Sequence, residues 1–186
     1  MSTVQSARAT PEDLLRSEGK AELVGGRIVH LMSTGIRPSE VASNIYVSLR
    51  EHAKKAKVGK AFNDNLGYAI PELPSGRESF SPDASYFKGA LPKDLMGFVK
   101  GPPTFAAEVR SGNDYGNAAE LEMAAKRTDY FAAGTQVVWD VDPVNMIINC
   151  YRNSSPDLPT CFIRGQIADA EPAVSGWRIA VDEVFA

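Results

Sequence analysis

Thr104-Phe105-Ala106-Ala107-Glu108-Val109-Arg110-Ser111, and upstream of it Ser81-Pro82-Asp83-Ala84-Ser85-Tyr86-Phe87, are short apolar stretches that each carry one carboxylate. Their aromatic and β-branched residues read as buried strands. An ionised acid among Phe, Ala and Val must be paired, hydrogen-bonded or holding a cation. Strand alternation puts Glu108 and Arg110 on one face. If the two strands are neighbours, Asp83 and Glu108 can share a hard divalent cation such as Mg²⁺, which takes a few carboxylate oxygens and keeps several waters. The residues alone leave a second arrangement open, in which Asp83 caps a turn after Pro82 and Glu108 pairs with Arg110 or another cation.

Working outward, Thr10-Pro11-Glu12-Asp13 opens a short first helix ending near Gly19, with a capping residue, a helix-compatible proline and acids in the first turn. Ala21 to Val24 and Arg27 to Met32 flank Gly25-Gly26, the turn of a hairpin that carries Glu22. From Ser39, the spacing of Val41, Ile45 and Leu49 predicts a helix packed on a sheet and closed at Gly59. Strands are expected over Ala61 to Ile70 and Ser79 to Phe87, an irregular loop over Lys88 to Pro103, and a strand over Thr104 to Ser111. Asn117 to Ala133 reads as a helix ended by Gly134, followed by strands over Gln136 to Asp142, Met146 to Arg152 and Thr160 to Ala168. The pattern predicts an α/β or α+β fold with helices against a mixed sheet, in one domain spanning residues 1–186 with residues 1–9 flexible.

A chain of 186 residues, 44% hydrophobic and 23% charged, is ordinary for a globular domain. The net charge of -3 argues against coating nucleic acid by bulk electrostatics but leaves a local basic strip open. No apolar run approaches a membrane span, and Met1 to Ala9 lacks the apolar region of a signal peptide, so a cytoplasmic location is expected. Cys150 and Cys161 have no zinc-ligand spacing and are expected as reduced core thiols, and two histidines make a transition-metal centre improbable.

Lys126 lies one helical turn before Tyr130, beside Met123, Ala124 and Ala125, which allows it to project along a buried seam toward the sheet. There it could orient a water or stabilise developing negative charge. The plainer alternative is a surface pair with Glu122. Arg50, His52, Lys54, Lys55, Lys57 and Lys60 read as a solvated helix end favoured by the macrodipole rather than a phosphate track. Trp139 and Trp177, among apolar neighbours, read as packing residues.

Taken together, Ser81-Pro82-Asp83, Glu108-Val109-Arg110-Ser111, Lys126, Tyr130, Gly134 and Val138-Trp139-Asp140-Val141-Asp142-Pro143 resemble the PD-(D/E)xK nuclease superfamily, and more narrowly its large bacterial restriction-endonuclease branch. The opening hairpin Glu22-Leu23-Val24-Gly25-Gly26-Arg27-Ile28 extends the resemblance over nearly the whole chain. The resemblance implies a restriction-endonuclease-like fold and a Mg²⁺-dependent endonuclease acting on DNA, with Mn²⁺ as a substitute ion; cutting both strands of a duplex needs two active sites, so a homodimer is expected. It implies that Asp83 and Glu108 bind the metal, that Glu22 supplies a further acid, and that Lys126 replaces the lysine expected where Arg110 stands. Gly112-Asn113-Asp114-Tyr115-Gly116 departs from the Ser-Pro-Ser continuation of relatives. A non-catalytic binding or accessory module that keeps this fold is the alternative.

Overall fold

The computed structural model describes residues 8–186, so the flexibility expected of residues 1–9 falls, up to residue 7, outside the described residues. Arg8 pairs with Glu72 and Glu78, and the Ala9 N–H donates to Gly26 O at 2.9 Å. Helix α1 (Pro11–Arg16) is closed by a capping box in which Thr10 and Asp13 satisfy each other's backbone N–H groups. The hairpin β1 (Ala21–Val24) and β2 (Arg27–His30) turns at Gly25 and Gly26, whose φ values of 60° and 67° suit residues without a Cβ.

Helix α2 (Ile36–Ala56) starts three residues before the predicted Ser39, because Pro38 fits a first helical turn where no intrahelical N–H bond is lost. It closes at Lys57, which takes the left-handed conformation (φ 54°) in place of the expected Gly59 cap. The stretch predicted as one strand from Ala61 to Ile70 is two, β3 (Lys60–Asn63) and β4 (Tyr68–Ala69), broken where Asn65 turns at φ 72°. Ser79 to Phe87 likewise divides into β5 (Ser79–Phe80) and β6 (Ala84–Phe87), because Pro82 has no N–H for a ladder. The expected loop from Lys88 to Pro103 contains β7 (Val99–Lys100), which pairs in parallel with β4.

Next come β8 (Phe105–Val109), α3 (Asn117–Ala133), capped by Gly134 at φ 108°, and β9 (Val137–Asp142). Strands β10 (Ile147–Arg152) and β11 (Ser155–Phe162) follow, then β12 (Ile167–Asp169), β13 (Arg178–Ala180) and α4 (Val181–Val184). Thr160 to Ala168 is therefore not one strand, since a turn over residues 163–166 separates β11 from β12. The main sheet runs β11-β10-β9-β8-β6-β3, with β8 and β9 parallel across α3 and the other neighbours antiparallel. This is the mixed sheet flanked by helices that the sequence pattern predicts.

Alternation along the central strands divides their side chains between two cores. Phe105, Ala107, Val109, Trp139 and Val141 pack with Val41, Ile45, Leu49 and Ala53 of α2 and with Trp177. Ala106 and Val138 point the other way, toward Tyr68, Phe80 and Tyr130. The indoles of Trp139 and Trp177 stack with centroids 5.0 Å apart, as packing residues. Cys150 is buried, but Cys161 is exposed and only Cys150 belongs to the core. Their strands are neighbours, yet Cys150 lies opposite Thr160, so successive side chains send Cys161 to the other face. No helix among the described residues is long and apolar enough to cross a membrane.

Phe105 is fully buried and meets Trp139 edge-on at 5.2 Å, whereas Leu158 on β11 is 77% exposed. Urea unfolding should show Phe105→Ala losing about 3–5 kcal/mol. Leu158→Ala should stay within about 0.5 kcal/mol of wild type.

Candidate active site

Glu108 takes the face of β8 that α3 covers, following Ala106 and opposite Asp140 in the parallel register with β9. On α3, Lys126 and Tyr130 are four residues apart and so project together onto that face. Lys126 Nζ lies 2.9 Å from Glu108 Oε2, and the Tyr130 hydroxyl donates to Glu108 Oε1 at 2.6 Å. Both carboxylate oxygens are thereby fixed. The alternative pairing of Lys126 with Glu122 is not formed, because the ammonium points inward and also meets Glu22 Oε1 at 3.0 Å.

Glu22 is 4% exposed and fully engaged. Its Oε1 accepts the Ser81 N–H at 3.0 Å, and its Oε2 accepts from Arg77. Arg77 in turn donates to Asp129 at 2.8 Å and lies 5.3 Å from the Phe80 ring centroid. Strand β1, the segment before β5, strand β8 and helix α3 thus meet in one charge-paired network. A cavity of about 450 Å³ opens onto it, lined in part by Glu22, Val29, Leu31, Glu108, Met123 and Lys126.

Asp83 sits in the break between β5 and β6. Its N–H still donates to Ala107 O at 3.1 Å, and continuing the register from Ala84 and Ala107 by one step brings Asp83 opposite Glu108. Asp83 Oδ2 accepts the Val109 N–H at 2.8 Å, and Oδ1 meets Lys20 Nζ at 2.6 Å. Lys20 also reaches Asp64 at 2.6 Å. The proposed turn-cap role of Asp83 is thus replaced by a bond across to the next strand.

Arg110 does not pair with Glu108. It binds Asp140 through Nε at 2.7 Å and through a second nitrogen at 2.8 Å, and it also pairs with Glu120. Asp114 accepts from the Ser111 N–H at 2.6 Å and from its hydroxyl, closing the turn after β8. Basic residues Arg50, Lys54, Lys55, Lys57 and Lys60 are exposed.

Burial raises the pKa of Glu108, and the Asp83 and Glu22 carboxylates push the same way against Lys126. Burial disfavours the Lys126 ammonium, but Glu108 and Glu22 outweigh it and hold its pKa above 10.5. Burial alone would raise Glu22, yet Lys126 and Arg77 keep it below 4.5. Burial also lowers the Lys20 pKa, and Asp83 and Glu108 more than restore it. Tyr130 is raised well above 10.0 by burial and by Glu108, so it remains a neutral donor. Lys126 is thus a fixed positive charge, unable to act as a base near neutral pH.

Lys20 and Arg77 are the cations of this network that sequence reading missed. Lys20 immediately precedes a strand and Arg77 lies in a Pro/Gly/Ser-rich turn, positions where a charge passes for surface decoration. Their signal is the excess of buried acids, each of which requires a cation.

A family model described as "Uma2: Putative restriction endonuclease" matches residues 9–182. Among solved structures, the chain is similar to a protein from Anabaena variabilis described as a putative nuclease belonging to DUF820. That match has a TM-score of 0.72 at 19% identity, and covers 95% of this chain and 97% of the other, which establishes a shared fold. A comparison with curated proteins finds no match.

The charge network has a defined response to pH. Glu22 stabilises the fold above its ordinary value of 4.5 and loses that contribution as pH falls through its lowered native value. The contribution of Lys126 is present below 10.5 and lost as pH rises through its raised native value. Lys126→Met should therefore be less stable than wild type by about 1–3 kcal/mol near neutral pH. The deficit should shrink toward about pH 4, read by urea unfolding at a series of pH values.

Proposed function

The chain belongs to the Uma2 family of restriction-endonuclease type, and we propose that it is a metal-dependent endonuclease hydrolysing phosphodiester bonds in cytoplasmic DNA. The observation that supports this reading is the Lys126 ammonium, 2.9 Å from the strand carboxylate Glu108 while Asp83 lies one register step across the neighbouring strand. Fixed positive charge beside two carboxylates suits a phosphate that gains negative charge as it is attacked.

Among the described residues, no group of three or more His, Cys, Asp or Glu side chains is placed to hold a metal ion. The carboxylate pair Asp83 and Glu108 nevertheless fits Mg²⁺, which is held by one or two carboxylates with waters and substrate phosphate completing its shell, and which Mn²⁺ can replace. Asp83 and Glu108 would hold it. When bound, the ion supplies an acidified water and charge neutralisation at the phosphate. The chain's own residues do the rest of the work. Tyr130 and Lys126 fix the orientation of Glu108, and Glu22 holds Lys126 in the wall of the cavity. Lys126 remains protonated, orients the attacking water as a donor and stabilises the developing charge. Arg110, locked by Asp140 and Glu120, supports the β8–β9 end of the site instead of meeting the phosphate. Cutting both strands of a duplex calls for two such sites, which a twofold homodimer supplies.

With Mg²⁺ and plasmid DNA, Lys126→Ala and Glu108→Gln should each lower the cleavage rate by about 10²–10³-fold, while circular dichroism shows an unchanged fold. Rates equal to wild type would overturn the assignment. Light scattering should give twice the chain mass, and a monomer at working concentration would replace duplex cutting with nicking.

A further inference from the structure

Among the described residues, ion pairs link the five acids Glu22, Asp64, Asp83, Glu108 and Asp129 to three cations, Lys20, Arg77 and Lys126. Lys126 bridges Glu22 and Glu108, and Arg77 bridges Glu22 and Asp129. Lys20 bridges the remaining two. Its ammonium rests between Asp64 and Asp83, 2.6 Å from each, at the end of a flexible stem whose backbone is pinned where the Leu31 N–H donates to Lys20 O at 2.9 Å. Asp83 has one oxygen tied to the Val109 N–H, so the oxygen that Lys20 covers is the one turned away from the backbone. Beside it is a polar cavity of about 200 Å³ bordered by Thr34, Ser39, Ser43, Asn63, Asp64 and Asp83.

From this geometry we infer that Lys20 is a built-in competitor for the divalent cation, keeping Asp83 charge-paired until the ion arrives and moving toward Asp64 and the polar cavity when it does. The inference rests on the reading of Asp83 as a metal ligand. Lys20 acts through Asp83 and is a positioning residue. Removing its charge while keeping a polar side chain should leave Asp83 free to bind an ion more tightly. Arginine should preserve the competition, because it keeps the charge and can reach both carboxylates.

The test is Mn²⁺ alone, titrated calorimetrically into the full chain without DNA, for wild type, Lys20→Gln, Lys20→Arg and Asp83→Asn, each first shown to unfold cooperatively. An opposite charge at this distance shifts the binding of a competing cation by at least an order of magnitude, so Lys20→Gln should bind Mn²⁺ about tenfold more tightly. Lys20→Arg should stay near wild type. Asp83→Asn should lose the binding. If Lys20→Gln binds no more tightly than wild type while Asp83→Asn loses the ion, Lys20 is not a competitor and the Asp83 assignment stands. If Lys20→Arg tightens as much as Lys20→Gln, charge is not the cause and the inference fails. If Asp83→Asn binds as wild type does, the Asp83 assignment itself fails, and the role of Lys20 with it.

Discussion

The constraint on which this structure turns is a carboxylate placed inside a central strand. Glu108 follows Phe105, Ala106 and Ala107, all fully buried, and precedes Val109, so the strand that feeds both cores also carries an acid beneath α3. An unpaired charge there would cost several kcal/mol. The register of α3 over the sheet, the presence of Lys126 and Tyr130 on its inner face and the docking of the β1–β2 hairpin through Glu22 all answer that cost. Helix, hairpin and sheet are joined by electrostatics where elsewhere they are joined by apolar packing.

Arg110 shows how position within a strand sets the use of a charge. Two residues beyond Glu108 and on the same side, it passes the end of β8 and finds Asp140 on β9 and Glu120 on α3. A guanidinium fork matched to a carboxylate holds direction as well as charge, and it ties the two parallel strands together where their ladder ends. A lysine on the helix and an arginine just past the strand thus divide two tasks. One faces the cavity and the other braces its wall.

Most of the architecture was legible because local signals and tertiary packing agree. The Gly25-Gly26 turn, the capping box at Thr10, the α2 stripe of Val41, Ile45 and Leu49, and the α3 stop at Gly134 each follow from a backbone or periodicity rule. Errors fell where short strands are decided by partners far along the chain. Val99 and Lys100 form a strand only because Tyr68 and Ala69 lie beside them. Asp83 was recognisable as an unusual acid, but nothing local shows that Lys20, 63 residues earlier, supplies its partner. Lys126 was readable from Ala124, Ala125 and Tyr130 either as facing inward or as pairing with Glu122 on the surface, and only the fold decides for the inner face. The pairing of Glu22 with Arg77 required the folded arrangement of the hairpin against β5.

The outer edge of the main sheet is β11, most of whose residues are exposed. Pro156 and Pro159 lie within its eight residues, and Asp157 stands between them. Two missing N–H groups and a charge make this rim a poor template for a foreign strand, so on this side the sheet resists sharing its ladder with a neighbour. Self-association through this rim would have to proceed by side-chain contact, two strands away from the β8–β9 centre that carries Glu108.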